Sequence, residues 1–136
     1  MPETDFAQYP NIFRAISKPR WYDVRSRRVS GEAFKLRSTD TGLSVLKAVD
    51  CSRDNCLAGL DRCLGEFVLD TDQVRELGLK VVDDEPDAPN YSENHAEITN
   101  IPFNPVTLEE KKRVEDLASA LAEISRLHYD RYDKYA

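Results

Sequence analysis

Thr107–Tyr135 reads TLEEKKRVEDLASALAEISRLHYDRYDKY. The stretch holds no Gly and no Pro. Its apolar positions step by three and four: Val114, Leu117, Leu121, Ile124, then His128. That is the stripe of one amphipathic helix. Thr107 followed by Glu110 is the signature of a capping box, which opens it. The spacing therefore predicts a helix over 107–135. About 27 residues at 1.5 Å each span roughly 40 Å. A globule of this chain length has a radius of gyration of about 14 Å. A helix that long crosses the body and overhangs it, or packs on something else. Tyr129, Tyr132 and Tyr135 decorate its last two turns, and tyrosine is enriched at interfaces. The expectation is association through this helix, with another protein or with a second copy.

Upstream, short apolar runs alternate with turn chemistry. Residues 1–10 read as a flexible arm. Asn11 to Ser17 reads as a strand closed by Pro19. Glu32 to Arg37 and Leu43 to Val49, joined by Ser38-Thr39-Asp40-Thr41-Gly42, read as a hairpin. A helix follows from about Cys51 to Leu64 and stops at Gly65, with Cys56, Leu57, Leu60, Cys63 and Leu64 on its inward stripe. Glu66 to Leu69, Leu79 to Val82 and His95 to Ile101 read as strands, with a short helix over Asp72 to Leu77 capped by Thr71. Residues 83–94, DDEPDAPNYSEN, form an acidic loop with almost nothing apolar to bury. Strands broken by helices without regular alternation fit an α+β fold. The expected architecture is one domain over 1–136. It has a single mixed, mostly antiparallel sheet, a helix after the hairpin, and the long C-terminal helix packed across it.

The 136 residues are 40% hydrophobic and 32% charged, a globular balance with a wet surface. No apolar run approaches the length of a membrane span, and the first residues lack the apolar core of a secretory signal. The chain reads as cytoplasmic, with no membrane contact. The net charge of -6 is uneven. Residues 1–50 carry nine Lys and Arg against six Asp and Glu, a net +3. An acidic protein repels bulk nucleic acid unless it presents a local basic face. The candidate face is residues 20–28, with Arg20, Trp21, Arg25 and Arg28. Guanidinium groups beside aromatic rings could hold a nucleotide or an RNA strand by phosphate pairing and stacking. The arginines pairing with the acidic second half, and Trp21 anchoring the core, is the plainer account.

His95 and Glu97 stand two apart on a predicted strand and so share a face. A carboxylate that orients an imidazole makes an acid–base unit. They are the candidate catalytic residues. A polar pair at a loop–strand junction is the plainer account. Cys51, Cys56 and Cys63 with His95 supply four zinc-type ligands by number. Yet Cys56 and Cys63 lie two turns apart on one predicted helix, about 10 Å, too far to share an ion. The expectation is reduced, metal-free thiols. The acidic loop lacks the central Gly and alternate acids of a calcium loop. Phosphate-binding Gly motifs, G-x-S-x-G and H-E-x-x-H are absent, so no cofactor is expected. Two functions remain. One is a regulatory or accessory protein that binds a partner through its helix and acidic surface. The other is a small nucleotide- or RNA-directed enzyme, a transferase or nuclease, using the basic-aromatic segment and His95 with Glu97.

Overall fold

The computed structural model describes residues 2–36, 40–47, 64–89 and 91–130, with the backbone alone at 129 and 130. Among these residues, eight strands and two α-helices follow in order. They are β1 Asn11–Ile16, β2 Tyr22–Asp23, β3 Arg28–Val29, β4 Leu43–Leu46 and β5 Gly65–Asp70. Then come α1 Thr71–Glu76, β6 Lys80–Asp83, β7 His95–Thr99, α2 Leu108–Ile124 and β8 Arg126–Asp130. Six strands form one sheet in the order β6-β7-β4-β1-β5-β8, and each recorded pairing in it is antiparallel. The fold is α+β, with the C-terminal helix against the sheet. Among the described residues, no helix is long and apolar enough to cross a membrane.

Strand alternation divides the sheet into two faces. Ile12, Ile16, Leu43, Val45, Phe67, Leu69, Val81, Ala96 and Ile98 point to the core and are buried there. Leu117, Ala118 and Leu121 of α2 close over them, with Val114 and Ile124 half-buried beside. Register places Ser44 opposite Glu97, and Leu46 opposite both His95 and Phe13, on the other face.

Four of the five stripe positions of the C-terminal segment behave as expected. The helix itself is shorter than the predicted 107–135. Its N-terminus carries the capping box, with Thr107 Oγ1 accepting from the Glu110 N–H and a Glu110 carboxylate oxygen accepting from the Thr107 N–H. Its 17 residues end at Ile124, and span about 25 Å. Ser125 turns extended, its hydroxyl donating to the Ala122 carbonyl. The chain then returns as β8, which pairs with β5. Strand β5 is buried from Gly65 to Leu69, so its ladder edge needs a partner. Leu127 falls opposite Phe67, a strand position that the helical stripe skipped. The overhang from which a partner was argued is therefore not there.

Three more expectations change. The described part of the expected first hairpin arm, residues 32–36, is not a strand. Gly31–Phe34 is a 3-10 turn, capped by Ser30 Oγ accepting from the Glu32 N–H. The adjacent residues Ala33 and Phe34 are both buried, a departure from the alternation expected of a strand with one solvated face. The N-terminal arm lies along the edge of β6. Thr4 donates its N–H to the Val81 carbonyl and its hydroxyl to Asp83 Oδ1, and is itself buried. The predicted helix at 51–64 and all three cysteines lie outside the described residues, apart from Leu64. Leu64 continues the ladder by donating its N–H to the Ile16 carbonyl. Helix α1 is capped by Asp70 rather than Thr71, its carboxylate accepting from the Asp72 and Gln73 N–H groups.

Candidate active site

Among the described residues, strands β1 and β4 pair at Phe13 with Leu46 alone. Antiparallel register would next bring Ala15 to Ser44, but the strands part there. Arg14 fills the parting. Its Nη1 donates to the Ser44 carbonyl at 2.8 Å and its Nε to the Ala33 carbonyl at 2.9 Å. The guanidinium lies 5.5 Å from the centre of the Trp21 ring, within cation–π range. A cleft of about 570 Å³ opens at this point, the size of a small-molecule site. Its walls carry Arg14, Lys18, Arg20 and Lys35 against Glu32 and Asp40. On a chain of net charge -6, that is a local cationic surface. Lys35 is held charged above the ordinary lysine range by hydrogen bonds to Glu115 and then Glu32.

Ser44 and His95 reach the same cleft. Ser44 Oγ lies 2.7 Å from His95 Nε2. On the other side of the ring, His95 Nδ1 lies 2.6 Å from Asp84 Oδ1. The second oxygen of Asp84 accepts from the Ser92 N–H at 3.2 Å. A carboxylate only accepts, so the proton sits on Nδ1, and in the neutral ring the lone pair of Nε2 faces the Ser44 hydroxyl. The Asp84 side chain is 15% exposed and His95 26%. The chain Ser44–His95–Asp84 thus runs from an exposed hydroxyl to a sheltered carboxylate. Chemically, it can take a proton from Ser44 or from a substrate and return it.

Of the residues expected from sequence, His95, Arg20 and Trp21 come together on this cleft. Glu97 shares the sheet face of His95 but packs on Gly42. A Cβ at Gly42 would sit 2.9 Å from Glu97 Oε2 and 3.0 Å from the Ile98 carbonyl oxygen. The carboxylate bonded to His95 is Asp84, not Glu97. Arg25 is exposed in the turn between β2 and β3, and Arg28 is exposed on β3. Neither is among the described residues that line the cleft. Tyr129 is opposite Glu66 in β8 by backbone register, and Tyr132 and Tyr135 lie outside the described residues. Among the described residues, no cluster of His, Cys, Asp or Glu could hold a metal ion. The acids that open the 83–94 loop are engaged instead. Asp83 pairs with Lys47 at 3.2 Å and Asp84 with His95.

Sequence reasoning missed Ser44, Asp84 and Arg14. Asp84 stands eleven residues before His95, and no periodicity links a loop acid to a strand at that distance. Ser44 carried one weak signal, as a polar residue alternating with Leu43 and Val45.

No protein-family model matches the chain, and no curated protein and no solved structure matches it either.

Proposed function

We propose that the chain is an enzyme acting on a phosphate-bearing, nucleotide-sized substrate. Arg20 and Trp21 hold the substrate, and His95, backed by Asp84, moves the proton. The observation that carries this reading is the shared cleft: Arg20 and Trp21 line it together with Ser44 and His95. Basic residues beside an aromatic ring suit a phosphate and a planar base. An imidazole whose far nitrogen is held by a carboxylate suits general acid–base work. The reading as a partner-binding protein draws on an overhanging helix and an acidic surface, and α2 ends at Ile124, short of an overhang.

Trp21 is the only tryptophan and lines the cleft, so its fluorescence reports occupancy. Titration with nucleoside mono- and diphosphates is expected to give a saturable change. Uncharged adenosine is expected to bind far more weakly. Arg20→Ala should weaken the phosphates about tenfold or more, the worth of a hydrogen bond to a charged group. No saturable change, or adenosine binding as well as its phosphates, would refute the proposal.

A further inference from the structure

We infer that Ser44 is a nucleophile, and that the substrate is a carboxylic ester whose body carries an anionic group. This deepens the reading above and rests on it for the anion-binding cleft.

A serine hydroxyl is a poor nucleophile unless a neighbouring base takes its proton. Ser44 has that base at 2.7 Å, and the base has its orienting carboxylate at 2.6 Å. Structural duty does not account for the array. The ladder pairing Leu43 with Ile98 through Leu46 with His95 already ties β4 to β7. The Ser44 side chain is exposed and faces the cleft rather than filling a core.

The ligand class follows from what the cleft supplies. Attack on an ester puts negative charge on the carbonyl oxygen, and pre-placed positive charge stabilises it. Arg14 already reaches the Ser44 backbone carbonyl at 2.8 Å, so its guanidinium stands beside the residue that attacks. Lys18 and Arg20 extend the positive field along the cleft, where a phosphate or carboxylate on the substrate body is received. Transfer of a phosphoryl group draws mainly on positioning and metal-assisted charge neutralisation. A serine–imidazole–carboxylate relay supplies instead what acyl transfer needs, a proton taken and returned.

The step balances. A bond forms from Ser44 Oγ to the ester carbonyl carbon as the hydroxyl proton passes to His95 Nε2. The ester C–O bond breaks, and the alcohol leaves with that proton. Water then attacks the acyl-serine and gives a proton to Nε2. The Oγ–C bond breaks, Ser44 recovers the proton, and a carboxylic acid departs. Asp84 keeps the imidazole oriented throughout and touches no reacting atom; it is a positioning residue.

The test uses a fluorophosphonate on the whole chain, with the adduct located by peptide mass spectrometry. Attack by Ser44 forms an Oγ–P bond and expels fluoride. The expected result is one adduct, on Ser44, absent in Ser44→Ala. His95→Ala should slow labelling about 100-fold or more, the contribution of a general base. Asp84→Asn should slow it while the rate keeps its dependence on His95. A burst of nitrophenolate should be about tenfold faster with the nitrophenyl half-ester of succinate than with nitrophenyl butyrate, a difference of about 1.4 kcal/mol. Circular dichroism confirms that each variant is folded. An adduct elsewhere, or labelling of Ser44 undiminished by His95→Ala, overturns the nucleophile. Equal bursts overturn the anionic ester. The Trp21 titration stands apart from these outcomes: a saturable phosphate response without Ser44 labelling leaves the cleft reading intact and removes this one.

Discussion

Glu66 is 1% exposed, and one of its carboxylate oxygens, Oε2, has no hydrogen-bond partner among the described residues. The other, Oε1, lies 2.9 Å from His128 Nδ1, whose ring also meets the edge of Phe13 at 5.2 Å. A buried carboxylate depends on its partner, because a lost partner leaves an uncompensated polar group. His128→Ala should therefore destabilise the fold by about 1–3 kcal/mol in urea unfolding, the usual cost of such a group. Adding Glu66→Leu to that variant should recover part of the loss, since an apolar residue has nothing to satisfy. An unchanged midpoint in His128→Ala would show that the pair contributes nothing. His128 also shows how one residue can satisfy two patterns. It continues the three-four stripe of the preceding helix, and it equally fits a strand that faces Glu66. Only the ladder to β5 decides between them.

At the level of elements, the two ends of α2 were not equally legible. Its start was readable, because Thr107 and Glu110 are local and three apart. Its end was not. Ser125 is neither Gly nor Pro, and the reason to leave the helix is a distant one, the bare edge of β5. The same contrast holds for Gly31–Phe34, where a Ser30 cap and two adjacent buried residues override an alternating pattern. The cap makes a pH-dependent prediction. Hydrogen bonds from the Thr107 backbone N–H and then its hydroxyl hold the Glu110 carboxyl below the usual range. A carboxyl depressed in the folded state contributes stability that is present above its unfolded pKa and lost as pH falls through the folded one. The melting temperature of the wild type should exceed that of Glu110→Gln at neutral pH, and the gap should narrow through and below the ordinary glutamate range. Thr107→Ala should cost about 1 kcal/mol at neutral pH. A gap that is constant with pH would mean that the Glu110 charge does not support the helix.

Across the whole molecule, the fold class and the strands β1, β4, β5, β6 and β7 were readable from alternation and turn residues. Half of the candidate site was readable too, in His95, Arg20 and Trp21. His95 is far in sequence from Arg20 and Trp21, and what unites them is the parting of β1 from β4, which no local pattern encodes. Asp84 was visible only as one acid of a solvated loop, and Ser44 only as the polar side of a strand. In the proposed function, one ligand touches both the basic-aromatic side and the Ser44–His95 side of this cleft. The most direct measurement is amide and side-chain chemical-shift mapping during titration with a nucleoside diphosphate. The Trp21 indole, the Arg20 amide, the Ser44 amide and the His95 imidazole are expected to shift together with one dissociation constant. Shifts confined to the Arg25–Arg28 turn or to α2, with Trp21 and His95 unmoved, would contradict it.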